Sequence, residues 1–219
     1  DAKVAEDWST VFLFEPTRGD EGVTEAEFIR YSETEEPFRV HGYTILQVLT
    51  EGDMGWVELD VSTSMRRFPT VPPVDAQRWD KWHRINGEWQ PVPAKTASAY
   101  PAAPVLRDAK AEAQLRQRFD ASWDARHRRD WEAMYQFIDP RDRDDLGQDV
   151  LAETYEVLQF LSATVHWVEV IDDVGAVYVT VNHKLNDPSM SKLPPRDANI
   201  REEWVRYQNE WYMDVKRAD

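Results

Sequence analysis

The chain has no cysteine, and only 8 of its 219 residues are glycine. The first absence excludes disulfides, thiolate zinc sites and cysteine nucleophiles, and leaves the redox compartment undetermined. With so little glycine, a phosphate-cradling loop would stand out. No such loop occurs, nor a Gly-x-Ser-x-Gly elbow or a dinucleotide fingerprint. Positive charge is also short: 26 Lys+Arg face 41 Asp+Glu, a formal charge of −15. That field repels phosphate backbones and anionic headgroups, which argues against a nucleic-acid partner or a membrane-surface role. No stretch approaches the ~18 consecutive apolar residues of a membrane helix, so no membrane insertion is expected.

What the chain does have is a core. Apolar residues make up 42%, with Trp 10, Tyr 8 and Phe 8, too many for a disordered acidic chain. The length fits one large domain or two small ones. The sequence opens Asp1-Ala2-Lys3, with no Met and no signal-peptide apolar core. Either a segment was removed in the cell or the chain was trimmed. Removal of a secretory signal would fit the lack of cysteine, so a periplasmic or secreted location is favoured over the cytoplasm.

Three anchors recur in one order. Asp7-Trp8 with Phe14-Glu15-Pro16 is echoed by Asp130-Trp131 with Ile138-Asp139-Pro140. Gly55-Trp56-Val57-Glu58-Leu59-Asp60-Val61 is echoed by Gly175-Ala176-Val177-Tyr178-Val179-Thr180-Val181. Trp82-x-Arg84 with Glu88-Trp89 returns as Trp204-x-Arg206 with Glu210-Trp211. The offsets are 123, 120 and 122 residues, too long for a solenoid, so the spacing predicts two copies of one small domain. Pro91, Pro93, Pro101 and Pro104 fall among Ala, Ser and Thr between them. Proline fixes φ and extends its predecessor, so residues 94–107 are expected to be a semi-rigid linker between domains at 1–93 and 108–219.

Periodicity supplies the elements. A helix is expected from Asp108 to Arg129, with Leu115, Phe119, Ser122 and Trp123 along one side. A short one carries Trp131, Met134, Tyr135 and Ile138, and a third runs from Asp149 to Leu161. Its counterpart, Glu25 to Ser32, follows the capping-box pattern Thr24-x-x-Glu27. Val177, Val179, Val181 and His183 alternate with polar partners as a half-buried strand, and Asn86-Gly87 and Gln208-Asn209 mark tight hairpins. Helices followed by four antiparallel strands predict an α+β fold, a curved sheet holding a helical layer.

That order, with Asp130-Trp131, Pro140, Trp204-Val205-Arg206 and Glu210-Trp211 and their echoes in the first copy, resembles the nuclear transport factor 2-like superfamily. This group includes ketosteroid isomerase-like and SnoaL-like proteins. The resemblance implies tandem cone-shaped domains; it is a signature of fold, not of an active site. One departure stands out: only Asp1 to Asp7 precede Trp8, so the first copy lacks the opening helix. Another segment would have to cover its apolar face, or the face would invite dimerisation.

Enzymes of the family use the cone mouth, and the resemblance implies an Asp base with a Tyr or acid donor there; no such pair maps onto this chain. His183 shares a side with Val177, Val179 and Val181, where it would serve as a general base or simply as a hydrogen-bonded strand-end histidine. Tyr135 and Tyr155 would donate to a ligand oxygen or anchor packing. Trp79, Trp82, Trp89, Trp204 and Trp211 read as core walls before stacking platforms. Arg84 and Arg206 would select an anion if they faced a pocket and would form surface ion pairs otherwise. His41, His83, His127, His166 and His183 show no zinc spacing. Asp142 to Glu153 approaches a calcium loop but has Leu146 where an oxygen ligand is required. Val11-Phe12-Leu13-Phe14 reads as core, or as a docking site if its covering helix is missing.

The expectation is a non-catalytic module that binds a small molecule or a protein and uses no cofactor and no metal. A small apolar ligand would sit in the second cone, near Phe119, Trp123, Tyr135, Tyr155 and His183, and a homodimer would cover the first copy. The alternative is a small lyase- or isomerase-type enzyme working by acid–base chemistry in the second cone.

Overall fold

A computed structural model describes residues 1–14, 23–190 and 192–215. Glu15 and Pro16, part of the first repeated anchor, lie outside the described residues. The chain divides into two compact units, Asp1–Ala103 and Pro104–Asp219. In the first, α1 (Ala2–Ala5), α2 (Trp8–Leu13) and α3 (Glu25–Thr34) precede β1 (Phe38–Glu51), β2 (Met54–Met65), β3 (Val74–Ile85) and β4 (Glu88–Pro91). In the second, α4 (Ala109–His127), α5 (Trp131–Tyr135) and α6 (Gln148–Glu156) precede β5 (Leu158–Ile171), β6 (Val174–Leu185), β7 (Arg196–Tyr207) and β8 (Glu210–Met213). Each unit is α+β: a four-stranded antiparallel sheet in sequence order, packed against helices.

Local chemistry sets the helix starts. Asp7 accepts from the Thr10 amide, Asp130 from that of Ala133, and Asp108 from those of Lys110 and Ala111, so each helix has orphan donors satisfied by an N-cap carboxylate. Thr24 and Glu27 close a reciprocal capping box. Two ends differ from expectation. The third helix of the second unit stops at Glu156, because Leu158 and Phe160 pair with Leu185 and His183 in β5 and β6. Leucines at helical spacing are equally good strand residues when a partner strand is available. Likewise α5 ends at Tyr135, and Ile138 instead forms a parallel bridge to Met213.

The two long hairpins share one register. Pairing runs from Phe38–Met65 to Glu51–Met54 in the first and from Leu158–Leu185 to Ile171–Val174 in the second. Irregularities fall between Val40 and Gly42 and between Ile45 and Gln47, then between Phe160 and Ser162 and between Val165 and Trp167. Bulges bend a strand and increase its twist, which curves each sheet at the same two levels. The short hairpins turn through Asn86-Gly87 and Gln208-Asn209, all four residues at positive φ, as a type I′ turn requires.

In the second unit, α4 lays Ala111, Leu115 and Phe119 on Val177, Val179, Val181 and Trp204, and all seven are buried. A Cβ on Gly175 would lie 2.4 Å from Leu115 Cδ2, so glycine is what lets the helix approach β6. In the first unit, the corresponding face of β2 and β3 carries Gly55, Val57 and Leu59 opposite Trp82, Asp80 and Arg78. Among the described residues nothing of α4's length lies over it. Trp89 is 38% exposed, whereas Trp211 in the second unit is 3% exposed. The core-wall reading of the tryptophans therefore holds for Trp204 and Trp211, while Trp79 and Trp82 are half-buried and Trp89 is exposed.

The proline-rich segment is not an extended spacer. Residues Ala94–Ala99 and Pro104–Leu106 form 3-10 turns, and the segment up to Ala103 belongs to the first unit. It covers the opposite face of that sheet. The buried Trp56 indole donates to the Pro101 carbonyl at 3.0 Å, and the Lys81 ammonium donates to the Ala97 and Tyr100 carbonyls. A buried indole and a half-buried ammonium need acceptors, and a backbone without strand partners supplies them.

Candidate functional site

Of the five residues singled out in the second unit, Phe119 belongs to the buried core and Trp123, Tyr135 and Tyr155 pack against it. Four surround the end of α4. Phe119 meets Trp204 edge-on, Trp123 meets Phe160 edge-on, and Tyr155 lies against Phe160 and stacks on Trp131. His183 pairs directly with Phe160 across the sheet, on the side of the buried valines as its alternation predicts, and its Nδ1 lies 3.5 Å from the Val181 carbonyl. Tyr135 packs against the same core, and its hydroxyl donates to the carbonyl of Arg143, whose guanidinium lies 5.5 Å from its ring. It fastens the acidic loop, where Asp142 accepts from the Leu146 amide through its own carbonyl and Asp139 binds the Arg141 side chain.

At the centre of the aromatic group is a charge that periodicity did not reveal. The Arg126 side chain is 4% exposed and donates to Glu202 at 2.9 Å, and its guanidinium carbon lies 5.4–5.7 Å from the rings of Trp123, Tyr155 and Phe160. Burial is the largest influence on it and opposes the charge. The carboxylate of Glu202 and the nearby Tyr155 together outweigh burial and raise its pKa, so it stays protonated. Burial in turn pushes the Tyr155 phenol up, so it remains neutral at pH 7. Glu202 also accepts from the Trp204 indole at 3.1 Å. Arg126, Glu202 and Trp204 thus form one hydrogen-bonded chain inside the second unit, beside Met213 and Phe160, with the Arg126 Nε buried and unpartnered among the described residues.

Arg84 and Arg206 behave alike. Each pairs with a turn carboxylate, Asp53 or Asp173, and lies 5.6 Å from the ring of Trp89 or Trp211. They are the surface ion-pair partners of the earlier expectation, each stacked on the tryptophan of the next strand.

An open volume in the first unit is reached by residues of both faces of β3, Arg78, Asp80 and Trp82 on one and Trp79 and Lys81 on the other. A cleft of about 950 Å³ runs between α1, α2 and β3, lined by Val11, Phe14, Tyr43, Asp80, Trp82 and Pro91 among others. Phe12 is buried against Phe28, but Leu13 and Phe14 are exposed, so the run Val11–Phe14 is divided between core and cleft wall. The Trp82 indole nitrogen is buried and has no hydrogen-bond partner among the described residues, unlike that of Trp204. Asp80, one methylene shorter than Glu202, pairs instead with Arg78.

No family model matches the chain. No curated protein matches it. Similar solved structures include a protein of unknown function with a cystatin-like fold from Nostoc punctiforme, 10% identical, covering 49% of this chain and 88% of that one at a TM-score of 0.36. A nuclear transport factor 2-like protein of unknown function from Pseudomonas putida is 14% identical and covers 52% of this chain and 94% of that one, at 0.35. A nuclear transport factor 2-like protein involved in plasmid conjugation is 11% identical and covers 97% of this chain and 91% of that one, at 0.32. Among the described residues no helix is long and apolar enough to cross a membrane.

Proposed function

We propose that this chain is a non-catalytic binding module made of two copies of one nuclear transport factor 2-like fold, over residues 1–103 and 104–219, with its accepting surface in the first copy. The observation that carries this reading is the contrast between two corresponding faces. In the second unit the face is filled by the unit's own Leu115, Phe119 and Arg126; in the first it borders a cleft of about 950 Å³. Cavities that take small molecules or peptide segments are of this order and are mostly apolar with a few polar groups. The shared strand register and bulge positions support the duplication.

The acid–base alternative has less to work with. Glu202, a carboxylate inside the second unit, is committed to Arg126 and the Trp204 indole, and the neutral Tyr155 phenol is packed between Trp131 and Phe160. A ligand near Phe119, Trp123, Tyr155 and His183 would have to displace these contacts.

Titration of the full chain with Nile red tests the reading. Emission should rise on binding, and Val11→Arg, which puts a charge in the first cleft, should abolish the rise while Trp123→Ala leaves it. A dye signal that survives Val11→Arg and disappears with Trp123→Ala would move the site to the second unit. A mass of two chains in light scattering, reduced to one by Val11→Arg, would make self-association the function of the surface.

A further inference from the structure

We infer that the cleft of the first unit takes an extended peptide segment from a partner, added to β3 as a further antiparallel strand. Its central apolar residue lies opposite Trp79, with a basic residue opposite Asp80 before it and an acidic residue opposite Arg78 after it. The inference rests on the binding surface proposed above and names its occupant.

A sheet separates its two faces except at its edges, so a cavity reached from both faces of one strand lies along that strand's edge. Arg78, Asp80 and Trp82 line the cleft from one face of β3, and Trp79 and Lys81 line it from the other. This edge is only partly used. β4 pairs with Trp82 to Ile85, and the Val92 amide still donates to the Lys81 carbonyl at 2.9 Å. The chain then leaves the edge at Pro93 for the turn Ala94–Ala99, and Val74 to Arg78 are all exposed. Successive residues of a strand send their N–H and C=O to alternate edges. The Arg84 amide points toward β2, where it bonds the Asp53 carbonyl, and the Lys81 carbonyl points the other way. Register with β2 is unbroken from Met54–His83 to Thr63–Val74, so Gln77 and Trp79 turn their main-chain groups to the same edge as Lys81. Neither has a strand partner there among the described residues.

Main-chain groups at strand spacing call for a second extended backbone. A residue opposite Trp79 exchanges two N–H···O=C bonds with it, as does one opposite Gln77, whereas an apolar small molecule satisfies neither. The walls specify the side chains. Lys81 shares a face with Trp79 and reaches the Ala97 carbonyl, so Val92, Pro93 and Ala97 bound the cleft on that side and suit an apolar neighbour for Trp79. On the other face Arg78 pairs with Asp80 two residues along its own strand, both side chains being partly exposed. Opposite charges on the added strand match both and leave the segment neutral, so the chain's charge of −15 does not repel it. Size agrees as well. A strand rising about 3.4 Å per residue, about 4.8 Å wide and about 10 Å thick fills roughly 160 Å³ per residue. The cleft of about 950 Å³ therefore has room for about six residues. The corresponding edge of β7 carries Arg201 paired with Glu169 and Glu203, charges of the kind that guard an edge.

The probe is the hexapeptide Lys-Leu-Glu-Val-Thr-Val, amidated and fluorescently labelled at its N-terminus. It is titrated into the full chain by fluorescence anisotropy, with hydrogen exchange to place it. The expected result is saturable binding that slows exchange of the Gln77 and Trp79 amides. Methylating the leucine nitrogen, which faces Trp79, should weaken the affinity by about tenfold or more. Methylating the glutamate nitrogen, which faces away, should change it by less than about threefold. Exchanging lysine and glutamate in the peptide should weaken binding by about threefold or more, and Arg78→Asp with Asp80→Arg in the protein should restore it. No saturation up to about 1 mM overturns the inference. So does an equal loss from the two methylations, which marks apolar binding without main-chain pairing, or protection at Asn199 and Arg201 in place of Gln77 and Trp79. An affinity indifferent to the charge exchange overturns the assigned pairing. If the peptide fails while Nile red still binds and Val11→Arg still removes it, the added strand is wrong and the binding surface stands. If both fail, the surface is wrong as well.

Discussion

Arg126 shows how much one residue can decide. A buried guanidinium is tolerable only if its charge is matched, and here Glu202, 76 residues away in sequence, does so at 2.9 Å. Removing one member leaves the other buried and alone. Glu202→Leu should therefore destabilise the second unit by about 3–5 kcal/mol. The double change Arg126→Met with Glu202→Leu should cost clearly less, since neither charge is then stranded. Urea unfolding of the two single variants and the double variant measures this as a coupling energy. A double variant no better than Glu202→Leu alone would mean that Arg126 matters mainly as packing against Trp123, Tyr155 and Phe160.

Between elements, the informative comparison is one substitution made at two corresponding glycines. Gly175→Ala puts a methyl 2.4 Å from the Leu115 side chain, which is wholly buried between α4 and the sheet. Nothing there can give without moving the helix, and overpacking of this kind costs about 1–3 kcal/mol. Gly55→Ala meets only the far end of Trp89, at 2.9 Å, and that side chain is exposed enough to swing away. Its cost should stay below about 1 kcal/mol. Thermal unfolding of each variant, followed by hydrogen exchange resolved to each unit, checks the difference. Equal losses would show that the first face is as tightly packed as the second.

For the molecule as a whole, the units differ in the cores they own. Of the buried hydrophobic residues described, five lie in Asp1–Ala103 and seventeen in Pro104–Asp219. Local stability follows buried apolar contact, so amides of β2 and β3 should exchange faster than those of β6 and β7. Native-state exchange followed by mass spectrometry tests this in one experiment. Slower exchange in the first unit would argue that its open face is already closed in solution, for instance by a second copy.

The sequence alone determined whatever depends on neighbours along the chain. The caps at Asp108, Asp130 and Thr24, the turns at Asn86-Gly87 and Gln208-Asn209, and the alternation of β6 are local, because a side chain a few residues away satisfies the same backbone groups in any context. Tertiary structure decided the rest. Leu158 is a helix residue by spacing and a strand residue by pairing. Pro101 reads as linker until the Trp56 indole needs its carbonyl. Trp82-x-Arg84 and Trp204-x-Arg206 are the same local sequence, yet Trp82 lines a cleft and Trp204 lies in a core under a helix. Burial depends on what arrives from elsewhere in the chain, and only the second unit has, among the described residues, a helix long enough to arrive.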